Sequence, residues 1–176
     1  SKIRVRIISR NANDRFDGSF WRRALKYAVD YRRSVLSEEE FRCCRLVFGE
    51  ADGIPGFTAD RFGDILVTQV LSYGTEQVKA ILYEALLQEV PEIRGIYERN
   101  DVTIRELEGL PVGKGWAEGF PHPAETVTEI TENGIRYRVD FENGQKTGFF
   151  LDQKYNRLAV SRISAGLRVL DCFTHT

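Results

Sequence analysis

The last third of the chain constrains the fold most, because it lays down a hairpin, a helix and a strand in immediate succession. Residues 126–131 and 135–141 are β-rich runs flanking Glu132-Asn-Gly134. Asn-Gly is the strongest short hairpin signal, since both central residues of the favoured turn need φ > 0. Asn143-Gly144 closes a second turn. Asp152 can cap a helix through Tyr155, Leu158, Ala159 and Ile163, which Gly166 then ends. Leu167-Arg-Val-Leu-Asp171 reads as a short buried strand running into a small polar loop, Cys172-Phe-Thr-His-Thr176. In open α/β sheets ligands sit beyond the carboxyl ends of the strands, so this junction is expected to meet a nucleotide-type cofactor. The chain stops as that loop begins. The expectation is the opening of a catalytic domain whose remainder lies outside the sequence.

Upstream, residues 3–8 alternate Ile3, Val5 and Ile7 with Arg4 and Arg6, the pattern of a half-buried strand. Such a strand would be orphaned unless it closes a preceding domain. Asp17-Gly-Ser19 supplies helix-start chemistry. In the helix that follows, Phe20, Ala24, Tyr27, Ala28, Tyr31 and Val35 are expected on one apolar stripe, with Arg22, Lys26 and Arg33 on the opposite face. Residues 41–131 read as a compact α+β unit. Strands are expected at 41–48, 65–71 and 93–98, with turns at 49–56 and 61–64. A helix capped by Thr75 carries Val78, Ile81, Leu82 and Ala85 and ends before Pro91. Residues 109–123 hold four glycines and three prolines and read as loop and linker.

Bulk properties exclude more than they assert. Net charge is -1, but residues 1–36 carry ten Lys/Arg against three Asp/Glu. That asymmetry fits either a surface facing RNA or DNA or an ordinary solvated face. Cys43, Cys44 and Cys172 form no Cys-x-x-Cys pair, which supports neither a disulfide framework nor a zinc site. A reducing, cytoplasmic setting is expected, with no metal. No apolar run approaches the roughly 18 residues of a membrane span, so no membrane partner is expected.

The chemistry concentrates in Gly144-Gln-Lys-Thr-Gly-Phe-Phe-Leu-Asp-Gln-Lys-Tyr-Asn-Arg157. Lys146-Thr147 is not a phosphate loop, because Gln145 stands where glycine must precede the lysine. The run reads better as a lid. Gly144 and Gly148 let backbone approach a ligand, Phe149 and Phe150 can cover an apolar moiety, and Lys146, Asp152, Gln153 and Arg157 can meet polar termini. Asp171 could engage an ammonium or fix the loop. Taken singly, the same residues are readable as core aromatics, a helix cap and a surface charge.

This run and Val169-Leu-Asp-Cys-Phe-Thr-His-Thr176 resemble the bacterial large-subunit ribosomal RNA cytosine-C5 methyltransferases of the class I, S-adenosylmethionine-dependent type. Further matches are Arg45-Leu-Val-Phe-Gly-Glu-Ala-Asp-Gly-Ile-Pro-Gly56, Asp60-Arg-Phe-Gly-Asp64, Tyr97-Glu-Arg-Asn-Asp101 and Glu108-Gly-Leu110. The resemblance implies an α+β chain in four parts. Residues 1–10 would be the last strand of a PUA domain, and 11–40 a basic amphipathic helix and connector. Residues 41–124 would be a small central α/β domain, and 125–176 the truncated start of a Rossmann-like methyltransferase domain.

It further implies S-adenosylmethionine as cofactor, near Lys146, Thr147, Gly148, Phe149, Asp152, Gln153, Arg157, Asp171, Phe173, Thr174 and Thr176. Large-subunit ribosomal RNA would be the partner, met through Arg22, Lys26 and Arg33, with a homodimer left open. Carbon-5 methylation needs a nucleophile adding to carbon 6, in this family a cysteine. Cys172 does not stand where the resemblance expects it, and Cys43 and Cys44 fall in a strand. No catalytic residue is assigned, and the chain by itself is expected to be inactive. Two rivals stay open: a non-catalytic module binding RNA or protein, and a methyltransferase acting on another RNA or a small molecule.

Overall fold

The computed structural model describes residues 5–172. Helix α1 (Gly18–Val35) begins at Asp17, whose carboxylate accepts the backbone N–H groups of Ser19 and Phe20. A one-turn helix α2 (Glu38–Phe41) follows, closed by a reciprocal capping box between Ser37 and Glu40. Strands β1 (Cys43–Phe48), β2 (Phe57–Phe62) and β3 (Ile65–Val70) form an antiparallel meander. Helix α3 (Tyr73–Glu89) carries the chain over to β4 (Gly95–Asn100), which pairs parallel with β3. A short α4 (Ile104–Leu107) then leads to the antiparallel edge strand β5 (Gly113–Trp116). The order across this mixed sheet is β1-β2-β3-β4-β5. A separate hairpin, β6 (Val127–Glu132) and β7 (Ile135–Asp140), is followed by α5 (Lys154–Ile163).

Both faces of the sheet are covered, and the strands show it by alternation. Cys44, Leu46, Phe57, Ala59, Leu66, Val70 and Ile96 pack beneath α1 and α3. Cys43, Phe62, Ile65, Val67 and Tyr97 point the other way, onto Ile130 and Val139 of the hairpin and Phe141 just beyond it. A register shift between Arg45 and Val47 breaks the alternation in β1, so Leu46 and Val47 join the same cluster. The β6–β7 turn is as expected, with Asn133 and Gly134 at φ 53° and 76°.

Several sequence expectations need correction. Residues 5–8 form no strand, and Val5 and Ile7 are exposed. The buried stripe of α1 is Phe20, Trp21, Leu25, Ala28 and Val29, whereas Tyr27, Tyr31 and Val35 face outward. The packed stripe is rotated about the helix axis from the expected one, because the sheet beneath takes Leu25 and Val29 in place of Tyr27 and Tyr31. Residues 61 and 62, read as turn, end β2, and residues 113–116, read as linker, form β5. The cap of α3 is Ser72, with Thr75 inside the first turn. Residues 167–171 form no strand and are exposed.

Candidate functional site

The run from Gly144 to Arg157 is fastened to the body at four places, and the glycines come first. A Cβ on Gly144 would lie 2.7 Å from the Gly148 carbonyl oxygen. At Gly148, where φ is 120°, a Cβ would lie 2.8 Å from Phe141 Cα. Neither position has room for a side chain. Arg99 of β4 ties the start of the loop, donating from Nη1 to the carbonyls of Phe141 and Gly144 at 2.9 Å each. Its other edge is held by Asp101.

Thr147 is the second anchor. It is 1% exposed, and its hydroxyl donates to Asp60 Oδ2 at 2.6 Å. Asp60, equally buried in β2, also receives Arg45 Nε and Nη2 at 2.7 and 2.9 Å. A buried carboxylate with three donors is satisfied rather than strained. At the far end Arg157 forms a bidentate pair with buried Glu132 at 2.7 and 2.8 Å and donates to the Phe150 carbonyl. Its guanidinium also lies 4.5 Å from the Phe149 ring centroid. Lys154 and Tyr155 reach Glu40 at 2.9 and 3.0 Å. The Ser37 backbone N–H, with Lys154 beside it, draws the Glu40 carboxyl down to about 2.

Between this run, the end of α1 and β1 lies a cleft of about 730 Å³. Lys146, Phe149 and Asp152 line it from the loop side. Tyr31, Val35, Arg45 and Phe48 line it from the body. Lys146 and Asp152 approach to 3.5 Å across solvent, so both can turn to a ligand. Cys43 and Cys44 also border the cleft, and burial pushes both thiols up to about 12. Burial thus holds each near pH 7 as the protonated thiol, the poorly nucleophilic form.

The expected site residues divide into three groups. Lys146, Phe149 and Asp152 come together on the cleft, as a binding role requires. Thr147, Gly148 and Arg157 are spent on holding the loop in shape. Gln153 is exposed and accepts from Asn156, and Asp171 is exposed outside the lining. Asp152 is not the helix cap; a short 3-10 turn, Leu151–Gln153, precedes α5. Phe173, Thr174 and Thr176 lie outside the described residues.

Arg22, Lys26 and Arg33 share a face, but that face meets carboxylates of α3. Arg22 lies 4.0 Å from Glu84, Lys26 3.6 Å from Glu89 and Arg33 3.4 Å from Glu89. Lys26 and Arg33 also pair with Asp30. Arg45, Asp60 and Arg99 stand in the runs that carry the resemblance but have no expected site role, and the fold makes them the loop's anchors. Asp60 and Arg61 were the available signal, two charges inside an otherwise apolar run. Among the described residues no cluster of His, Cys, Asp and Glu could hold a metal, and no helix is long and apolar enough to cross a membrane.

Residues 111–176 match the family model of S-adenosylmethionine-dependent methyltransferases. The whole chain is 43% identical to the ribosomal RNA large subunit methyltransferase I of Serratia proteamaculans, covering 100% of this chain and 44% of that protein. Identity to the protein of the same name from Aeromonas salmonicida is 42%, with the same coverage. Among solved structures, a protein from Streptococcus mutans described as a SAM-dependent methyltransferase superposes with TM-score 0.70 at 24% identity. That match covers 88% of this chain and 38% of the other. A second, described as a methyltransferase complexed with SAH, gives TM-score 0.68 at 25% identity over 86% of this chain and 37% of its own. Along its full length the chain is thus similar to the proteins named ribosomal RNA large subunit methyltransferase I, and it spans a little under half the length of those relatives.

Proposed function

We propose that this chain belongs to an S-adenosylmethionine-dependent methyltransferase acting on carbon 5 of a cytosine in large-subunit ribosomal RNA. The observation that carries the reading is the clamped, glycine-bound run from Gly144 to Arg157, which lies inside the region matching the methyltransferase family model. Relatives named as large-subunit ribosomal RNA methyltransferases and the neighbour complexed with SAH support the same assignment. When bound, the cofactor supplies an electrophilic methyl group.

The chain's own residues fit such a ligand on one side. Lys146 offers a cation to a carboxylate, Asp152 a carboxylate to an ammonium, and Phe149 an apolar face to a ring. Thr147, Gly148 and Arg157 keep these three in place. Gln153, Asp171, Phe173, Thr174 and Thr176 would complete the contacts. Residues 1–10 would close a PUA domain, the setting is cytoplasmic, and a homodimer is compatible with the reading. No described residue is assigned as the nucleophile: Cys43 and Cys44 are buried with their thiols pushed up to about 12, and the exposed Cys172 does not stand where the resemblance expects one.

Incubating the chain, and separately a longer protein that contains it, with labelled S-adenosylmethionine and unmodified large-subunit RNA tests the proposal. Label is expected with the longer protein and not with the chain. Incorporation by the chain would overturn the inactivity, and failure by the longer protein would overturn the activity. The second reading, a non-catalytic RNA-binding module, would be supported by RNA binding in both proteins without label from either. Arg22, Lys26 and Arg33 would contribute to RNA contact only by releasing Asp30, Glu84 and Glu89.

A further inference from the structure

We propose that the cleft between α1 and the loop is the subsite for an unpaired segment of the RNA substrate, gripped by aromatic rings each backed by a cation. The inference rests on the RNA methyltransferase reading and adds to it the place where bases and phosphates sit.

Three exposed aromatic side chains rim the cleft: Tyr31 at 60%, Phe48 at 54% and Tyr155 at 62%. None of the three belongs to either packed cluster of the described residues, and Tyr155 donates its hydroxyl to Glu40. Each has a cation against it. Arg32 lies 5.4 Å from the Tyr31 ring centroid, Arg45 5.3 Å from Phe48, and Lys154 5.8 Å from Tyr155. All six residues line the same cleft, although they come from α1, β1 and α5.

Single-stranded nucleic acid is held by this combination, bases stacking on rings while cations follow the backbone. Duplex RNA does not fit, because its bases are already stacked and its sequence-bearing edges are inaccessible. The donors are partly committed but not exhausted. Arg45 uses Nε and Nη2 on Asp60, which leaves Nη1 over from the pair. Lys146 is half exposed and only loosely held by Asp152. Arg45 can take a phosphate oxygen without breaking a buried bond, and Lys146 can do so while no cofactor carboxylate occupies it. Arg32 is locked to Asp52 at 2.6 and 2.8 Å, so its part is to stiffen and polarise Tyr31.

The surface differs from the one expected from charge alone. Arg22, Lys26 and Arg33 lie along the α3 side of α1, facing carboxylates. The rim places the docking face at the carboxyl end of α1, beside the proposed cofactor residues Lys146, Phe149 and Asp152. A base stacked there would lie next to the methyl donor.

Fluorescence anisotropy with a labelled single-stranded pyrimidine oligonucleotide tests the proposal on the chain, at several salt concentrations. Tyr31→Ala, Phe48→Ala and Tyr155→Ala are each expected to weaken binding roughly tenfold with the salt slope unchanged, as loss of one stacking ring does. Tyr31→Phe keeps the ring and should retain affinity. Lys146→Ala should lower the slope by about 0.7, the value for one phosphate contact on a single strand. Arg22→Ala/Lys26→Ala/Arg33→Ala should change neither. Circular dichroism checks that each exposed variant keeps its fold. Unchanged affinity in the ring variants, a duplex bound as tightly as the single strand, or no binding by the unaltered chain would overturn the proposal. Methyl transfer is measured separately on the longer protein. Intact RNA binding with no transfer would sink the enzymatic reading and leave the subsite standing.

Discussion

Replacing Asp60 by Ala should destabilise the chain by about 3 kcal/mol and loosen the loop at Thr147. Asp60 is 1% exposed and accepts three hydrogen bonds, two from Arg45 and one from Thr147. Arg45 is 36% exposed at its side chain, so water can replace most of what it loses. Its contribution falls toward the lower end, about 1.5 kcal/mol, of what a bond to a charged group is worth. Thr147 has no such escape. It is 1% exposed, and its orphaned hydroxyl costs about 1–3 kcal/mol of unrecovered desolvation. Thr147→Val removes donor and orphan together and should cost only about 1 kcal/mol. The double variant should therefore fall short of additivity by about 1 kcal/mol, the coupling that belongs to the shared bond. Urea unfolding followed by emission from Trp21 and Trp116, both near the two packed clusters, measures all three. A loss below about 1 kcal/mol for Asp60→Ala, or strict additivity in the cycle, would refute the claim that β2 holds the loop through this carboxylate.

Gly148→Ala should cost about 2–3 kcal/mol, because φ is 120° and a Cβ would press on the Phe141 backbone; a neutral outcome in the same urea assay would mean the loop can reshape. In the native chain Cys172, which is exposed, should react rapidly with iodoacetamide at pH 8, while Cys43 and Cys44, buried and pushed up to about 12, should stay unlabelled; mass spectrometry reads the count. The Glu40 link between α2 and α5 should open in acid. Its carboxyl is drawn down to about 2 from an ordinary 4.5, so its stabilisation is complete above 4.5 and lost as pH falls through 2. Protection of the Ser37 amide, taken relative to its intrinsic exchange rate at each pH, should fall over that window, and a transition near 4.5 would contradict it.

How much of this was legible depends on what each residue answers to. The hairpin was readable because the Asn133-Gly134 turn is a local demand on φ that few residues meet. The α3 helix was readable from the recurrence of its apolar positions, though its cap moved from Thr75 to Ser72. Strand β2 was missed for the reason that makes it useful. Asp60 and Arg61 interrupt its apolar pattern, and each is buried against partners that the run itself does not show: Arg45 and Thr147 for the first, the Gly63 carbonyl and Glu92 for the second. Strand β5 was missed because Gly113, Lys114 and Gly115 have poor strand propensity and are held by pairing with β4.

The outward turn of Tyr31 follows the same logic. Helical spacing places Tyr31 on a stripe with Phe20, Ala24, Tyr27 and Val35, yet the sheet beneath α1 accepts Leu25 and Val29 instead. A ring that a sequence assigns to the core and a fold leaves bare beside a cation is a residue whose role is decided by tertiary structure. In this chain three bare rings, Tyr31, Phe48 and Tyr155, converge on one cleft from α1, β1 and α5, which no periodicity in any one element could have disclosed.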